Sequence, residues 1–587
     1  MPQKFQTYSV KVEHEVPIPL RDGTVTYANV FRPDAPGKFP ALLHRTPYDK
    51  YSPDNYAAPV NPTIGAQNGY AVIIQDVRGR YFSQGDFTPF FNEEKDGYDS
   101  VEWAASQPWC TGKVGMTGIS YGGATQWLTA RGRPPSLAAL APGYTASDYH
   151  EGWAWQGGAF ELGFNLSWSV GALTAYHWDN LAKKLKLTER QKKALIAAKD
   201  DLHSAFAFAP LKDAPYLKNS LAPYYYHWLA HPDYDKYWKS ICIQEVHTEL
   251  AIPAFNYGGW YDVFLGGTVN SYMRLSKLAK TKDARLGQRL LIGPWVHLRN
   301  APGLSGDYWF GTHASALAQG LPDRLLRFFN HWLKGVDTGL MKEAPVRVFT
   351  MEDDWHDYED WPPPQAKELA FYLHSSGKAN TLNGDGMLSL DPPGHEPPDA
   401  YAYNPLNPVP TMGGQLCCDP AFMRWGAYDQ RSVEARPDVL VYSTPPLKQD
   451  TEVTGPVNVT LYVSSSARDT DFTAKLVDVD PSGYARNLTD GIIRARYRKP
   501  RTPASLIEPG RIYEYTIDAW HTSNLFRKGH QIRLEVSSSN FPRFDRNANT
   551  GGPIGADAPS DFKPALQTVH HDSTYPSHVK LFVVPRK

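Results

Sequence analysis

The sequence predicts an open, mainly parallel α/β sheet that carries an inserted block of helices and is followed by a separate all-β domain. Three observations predict it. Buried-type strands alternate with helix-compatible segments over residues 39–142 and return at 252–257 and 289–293, which is the pattern of parallel strands joined by crossovers. Between these halves, residues 147–245 show helical periodicity and many aromatic side chains, with no strand pattern interrupting them. Past 346–364 the text changes to short strands separated by Pro, Gly and Asp turns, which argues for a β-sandwich of the jelly-roll kind. The expected division is therefore 1–146 and 246–350 for the α/β core, 147–245 for a helical cap and 351–587 for the β domain. At 587 residues the chain is too long for one hydrophobic core.

Taken in order, residues 8–33 alternate in period two around Arg21-Asp22-Gly23-Thr24, the signal for an edge hairpin. Residues 39–43 read as a buried strand that ends at Thr46-Pro47-Tyr48-Asp49, so Tyr48 falls just past a strand end. A helix is expected over 57–68, a continuous apolar strand over 70–76 and a helix over 93–107. The next strand runs into Gly118-Ile119-Ser120-Tyr121-Gly122 and leaves as a helix over 124–130. Strand, tight turn and helix around a serine make a nucleophile elbow, and the flanking glycines are needed because strand and helix close on each other there. The turn lifts the Ser120 hydroxyl above the sheet and aims the Tyr121 N–H at the oxygen of a carbonyl under attack. Residues 137–142 add a strand, 181–200 form a basic amphipathic run, and the returning strands end at Gly259-Trp260-Tyr261-Asp262 and Pro294-Trp295-Val296-His297. A helix is expected over 321–333. Inserted helical blocks at strand ends commonly form a lid over the site.

Composition narrows the function. The formal net charge is −1, which gives no electrostatic basis for nucleic acid or an anionic membrane as partner. Cys110, Cys242, Cys417 and Cys418 fit neither a disulfide framework nor a zinc spacing and are expected as free thiols. Met1-Pro2-Gln3-Lys4 leads into polar sequence with no apolar signal region, and no run suits a membrane span. A cytoplasmic enzyme without metal or cofactor is expected, with a small ester or amide as its partner and self-association left open.

A serine at its free pKa is a poor nucleophile and needs a base and an orienting acid. Asp262 and His297 come after Ser120 in chain order, each in a loop at a strand's carboxyl end, as Ser-Asp-His hydrolases on this sheet require. His297 would take the serine proton and Asp262 would fix its tautomer. Asp76 also ends a strand, but it precedes Ser120, and Arg78-Gly79-Arg80 beside it argues for a structural ion pair. A rival reading makes the α/β part a degenerate scaffold and the β domain a binding module; the complete triad argues against it.

Gly118-Ile119-Ser120-Tyr121-Gly122-Gly123, Gly259-Trp260-Tyr261-Asp262, Gly293-Pro294-Trp295-Val296-His297, Asp76-Val77-Arg78-Gly79-Arg80 and Thr46-Pro47-Tyr48-Asp49 together resemble the cocaine-esterase-like family. That family also holds X-prolyl dipeptidyl peptidases, α-amino acid ester hydrolases and glutaryl cephalosporin acylases. The resemblance spans nearly the whole chain. It implies an α/β-hydrolase core, a helical cap and a C-terminal jelly roll, and a serine carboxylesterase, with amide or X-prolyl dipeptide hydrolysis as the alternative. It implies that the Tyr48 hydroxyl joins the Tyr121 N–H in the oxyanion hole. Members that accept a free α-amino group need buried carboxylates to receive it, and in the α-amino acid ester hydrolases an acidic pair lies just after the triad aspartate; here Val263-Phe264-Leu265 stands there, which implies small, neutral, aromatic or hydrophobic acyl groups. Phe264 and Trp168 match pocket aromatics, and Trp155 and Trp295 are expected beside them. Gly413-Gly414-Gln415-Leu416-Cys417-Cys418 resembles a loop of the β domain that reaches the site, with cysteines in place of bulkier residues.

Overall fold

The structure is a computed structural model describing residues 7–56, 58–174, 177–217, 221–297 and 303–586. Ten strands build the first sheet: β1 (Val10–Pro19), β2 (Val25–Pro33), β3 (Phe39–Thr46), β4 (Ala71–Asp76), β5 (Cys110–Ile119), β6 (Leu137–Gly143), β7 (Phe255–Tyr261), β8 (Arg289–Val296), β9 (Val346–Phe349) and β10 (Trp355–Tyr358). Their spatial order is β1-β2-β4-β3-β5-β6-β7-β8-β9-β10. The β1/β2 hairpin and its contact with β4 are antiparallel; pairings from β4 through β9 are parallel. Every residue of β3, β4, β7 and β8 is buried, so these strands are covered on both faces, and their carboxyl ends all open on one edge.

The helices α1 (Glu93–Ser106), α2 (Tyr121–Gly132), α4 (Leu265–Leu278) and α5 (Leu321–Lys334) connect or flank these strands, and α3 (Leu162–Ser167) belongs to the insertion. In α5 the buried residues Leu321, Leu325, Phe328, Phe329 and Leu333 fall on one face and pack with Leu42, Phe255 and Leu291 of the sheet. Ala57, where the sequence places the start of a helix over 57–68, lies outside the described residues; the helix seen is Pro62–Gln67, capped by the Asn61 side chain.

Two features of the fold differ from the expectation. A short hairpin, Trp155–Gln156 with Ala159–Phe160, interrupts the helical block. Its strands are two residues long, too short to carry a period, and Gly157 and Gly158 turn it with φ of +54° and +82°. The first sheet also continues past residue 350, because β10 pairs antiparallel with β9. As a half-exposed edge strand, β10 reads like the strands of the neighbouring β domain. Among the described residues, no helix is long and apolar enough to cross a membrane.

The C-terminal domain is all-β. Eleven strands are linked by hydrogen bonds around the long strand Thr451–Ser465, which pairs with Tyr513–Phe526, Ala565–His570 and His578–Val584. A buried polar cluster pins several of these strands together: Asp399 Oδ2 accepts from Ser375 Oγ (2.7 Å) and Tyr442 Oη (2.8 Å) and pairs with His571 Nε2 at 2.9 Å. Both the His571 and the Asp399 side chains are fully buried. Burial works against the His571 imidazolium, but the Asp399 hydrogen bond and the charges of Asp399 and Glu396 outweigh it, so His571 stands above its ordinary 6.5. A raised folded value means that the stabilisation is complete below about pH 6.5 and fades as pH rises through the folded value. His571→Gln should therefore cost about 3–5 kcal/mol at pH 6, the usual result of breaking a buried pair, and progressively less above pH 7. Urea unfolding of both proteins between pH 5.5 and 8.5 measures this; a cost independent of pH would show that His571 acts only through packing.

Candidate active site

The elbow forms because β5 and α2 meet with no connecting loop. Ser120 sits between them at φ 58° and ψ −123°, a sparsely populated conformation that costs about 1–3 kcal/mol, and its N–H is held by Gly143 O of β6 at 2.9 Å. A side chain at Gly118, whose φ is +137°, would place Cβ 2.8 Å from the His44 ring and 3.0 Å from Gly122 O. Only glycine fits that approach. The serine hydroxyl therefore stands over the carboxyl edge of the sheet, and Ser120 is 5% exposed.

β7 and β8 bring the other two side chains. Their carboxyl ends crowd together: a Cβ at Gly259 would lie 2.1 Å from Trp295 O, and the register shifts between Gly293 and Val296, a bulge that re-aims the chain just before His297. His297 Nδ1 then lies 2.6 Å from Asp262 Oδ1, and His297 Nε2 lies 3.0 Å from Ser120 Oγ. Asp262 and His297 are fully buried. With the carboxylate on Nδ1, the ring proton stays on that side and Nε2 is left to accept the serine proton.

Tyr48 occupies the loop after β3, and its hydroxyl interacts with Ser120. Trp168 Nε1 donates to the Tyr48 oxygen at 2.8 Å. An indole N–H can only donate, so the tyrosine's own proton remains free for another acceptor. Burial pushes the Tyr48 hydroxyl up to about 12, which keeps that proton in place across the working pH range. Tyr121 opens α2, so its N–H belongs to the first helical turn and has no intrahelical acceptor. Its phenol is anchored behind the site, donating to Glu93 Oε1 (3.0 Å) and accepting the Phe90 N–H (2.9 Å). The Tyr48 loop is fastened by Asp76, which accepts both the N–H and the ammonium of buried Lys50, at 2.7 and 2.9 Å. Asp76 is thus in a structural ion pair, but its partner is Lys50; Arg78 pairs instead with Asp96 and Asp22.

Aromatic side chains wall the space over His297. Phe264 lies edge-to-face on His297 at 5.2 Å, Trp153 stacks on Phe264 at 4.1 Å, and Phe164 meets both Phe264 (5.2 Å) and Trp168 (5.9 Å). Phe264 and Trp168 are brought together as the sequence suggested, whereas Trp155 and Trp295 are not. Trp155 packs on Phe160 and His150 in the hairpin, and Trp295 turns to Trp355 and donates to Ala314 O at 2.8 Å. Trp153 and Phe164 join the wall without having been expected there. Both lie in the aromatic-rich block, but no period in it distinguishes a wall of the site from a core residue.

The loop from the β domain does reach this region: Leu416 bridges to Asp262, and Gln415 Nε2 donates to Trp260 O at 3.1 Å. Next to Leu416, Cys417 and Cys418 are joined by a disulfide, against the expectation of four free thiols; Cys110 and Cys242 are free and buried. The chain turns at Cys418, whose φ is +92°, and that turn brings the neighbouring sulfurs together. Adjacent cysteines give no loop spacing from which a pairing could be read. Among the described residues, no group of His, Cys, Asp and Glu is arranged to hold a metal ion.

Comparison with known proteins bears on the family and the fold. Residues 22–299 match the family described as X-Pro dipeptidyl-peptidase (S15 family), and residues 338–580 match the X-Pro dipeptidyl-peptidase C-terminal non-catalytic domain. Over 584 residues the chain is 40% identical to the cocaine esterase of Rhodococcus sp. (strain MB1 Bresler), covering 98% of this chain and 99% of that one. Among solved structures, an aminopeptidase from the marine sediment archaeon Thaumarchaeota archaeon is 25% identical, with a TM-score of 0.78 and coverage of 100% and 98%. An α-amino acid ester hydrolase shares the fold at a TM-score of 0.80, 24% identity and coverage of 99% and 98%.

Proposed function

We propose that this chain, which belongs to the X-Pro dipeptidyl-peptidase (S15) family, hydrolyses carboxylic esters of small, neutral, aromatic or hydrophobic acyl groups through an acyl-enzyme on Ser120. One observation carries the reading: a continuous hydrogen-bonded chain from Asp262 through His297 to Ser120, beside a Tyr48 hydroxyl that accepts from Trp168 and interacts with Ser120. Ser120 Oγ attacks the ester carbonyl as its proton passes to His297 Nε2, and Asp262 stabilises the imidazolium. The carbonyl oxygen becomes an oxyanion received by the Tyr48 O–H and the Tyr121 N–H. The adduct collapses, the alcohol leaves with the proton from His297, and water repeats the sequence to release the acid.

The acyl preference rests on charge. Val263, Phe264 and Leu265 are buried and apolar. Two carboxylates of the insertion, Glu151 and Glu161, are candidates to greet an ammonium. Glu151 accepts the Gly157 N–H at 2.9 Å, and Glu161 lies 3.8 Å from Arg543. Burial pushes Glu161 up to about 8 against the pull of the Arg543 charge, which weakens it as a partner for an ammonium. Burying an unpaired ammonium costs several kcal/mol, whereas an uncharged acyl group gains about 25 cal/mol per Å². Phenylacetyl, benzoyl and short aliphatic p-nitrophenyl esters should exceed the matching phenylglycine and alanine esters by at least about tenfold in kcat/KM near pH 8. The family's name and the archaeal aminopeptidase favour a second reading, cleavage of X-Pro peptides by the same triad. Should amino acid esters or X-Pro anilides prove the better substrates, that second reading replaces the first.

A further inference from the structure

Among the described residues, Arg80 is a buried cation without a counter-ion. It is 2% exposed, and among the described residues its side chain bonds to carbonyls rather than a carboxylate: Nε donates to Pro47 O and Nη1 to Leu173 O, each at 2.8 Å. The guanidinium lies over the rings of Tyr81 (5.3 Å) and Phe87 (5.4 Å). The buried arginines Arg45, Arg486, Arg494 and Arg543 each pair with an acid. Arg289, which also bonds only to carbonyls among its oxygen partners, begins β8 at the opposite edge of the sheet. Among the described residues, Arg80 is therefore a buried charge left unneutralised on the edge that carries Ser120.

Its two bonds grip the two elements that meet at the Tyr48 hydroxyl. Pro47 is the residue before Tyr48, and Leu173 belongs to the π-helical turn Trp168–Thr174, which begins with the tryptophan that donates to that hydroxyl. An unpaired guanidinium held in low dielectric costs several kcal/mol, and an uncompensated positive charge favours any reaction step that places negative charge nearby. We propose that Arg80 is the positioning residue of the oxyanion hole: it clamps the Tyr48 loop to the turn bearing Trp168, and its charge strengthens the Tyr48 O–H as a donor to the developing oxyanion. In keeping with this, the charge of Arg80 draws the Tyr48 hydroxyl down against the larger, opposite effect of burial.

The inference rests on Tyr48 acting in the oxyanion hole, so the test includes that residue. Wild type, R80M, R80K, Y48F and the R80M/Y48F double variant are compared in kcat, KM and inhibition by a trifluoromethyl ketone matched to the best ester. R80M should lower kcat by about tenfold or more with KM nearly unchanged, and weaken the ketone by a similar factor, because only the tetrahedral adduct bears the charge. R80K, which keeps the charge but cannot span both carbonyls, should fall between wild type and R80M in kcat and in ketone affinity. In the Y48F background R80M should cost less than about threefold, since its effect passes through the missing hydroxyl. An equal cost in both backgrounds, or R80K costing as much as R80M, overturns the proposal; where R80M does not fold, R80K and R80K/Y48F are compared in the same way, and an equal cost of R80K in both backgrounds overturns it. Y48F at wild-type activity would instead strike down the reading of Tyr48, and the proposal with it.

Discussion

Ser120→Ala should lower kcat by roughly 10⁶, the scale set by removing the nucleophile of a serine hydrolase, while the unfolding midpoint stays close to that of the wild type. The reasons are local. No neighbouring group can take over from the hydroxyl, since the His297 Nε2 that faces it at 3.0 Å would be left facing a methyl group. The backbone at Ser120 is fixed by its own N–H on Gly143 O and by the helical bonds to its carbonyl from Gly123 and Ala124, none of which involve the side chain. Its removal opens no core cavity, because the side chain stands at the edge of the sheet. Esterase activity retained by Ser120→Ala, in a preparation free of host esterases, would contradict the assignment.

Tyr48→Phe should lower kcat by roughly 10²–10³ with little change in KM, the effect of deleting one oxyanion donor. The ring would keep its packing, but the Trp168 N–H that now ends on the Tyr48 oxygen would lose its acceptor, a stability cost of about 1–3 kcal/mol. The two effects separate in the measurement: thermal unfolding reads the second, and steady-state kinetics well below the midpoint reads the first. A tyrosine that served only to brace the loop would lose less than about tenfold in kcat.

The reacting groups were legible in the sequence for a reason that does not extend to their supports. Asp262 and His297 each come after a strand buried along its whole length, and Ser120 after one buried over 114–118; such strands read as mainly apolar runs, and the chain order then fixes which loop ends share an edge. The glycines at 118 and 259 mark close backbone approaches and carry the same signal. What holds the site was not legible. The Lys50–Asp76 pair joins residues 26 apart and the Trp168–Tyr48 hydrogen bond residues 120 apart, and neither distance belongs to any local period. Trp153 and Trp155 stand two residues apart in one aromatic run, yet the turn before the hairpin sends one to Phe264 and the other to His150. Charge proximity in sequence misled for the same reason: Arg78 and Arg80 lie just past Asp76, but the chain turns them to other partners.

The measurement that tests the central claim most directly is intact and peptide mass spectrometry of wild type and Ser120→Ala after brief reaction with p-nitrophenyl benzoate and quenching in acid. The account predicts one added benzoyl group on the wild-type peptide containing Ser120 and none on the variant. Rapid ester turnover with no adduct at Ser120, or an adduct on another residue that persists in Ser120→Ala, would contradict it.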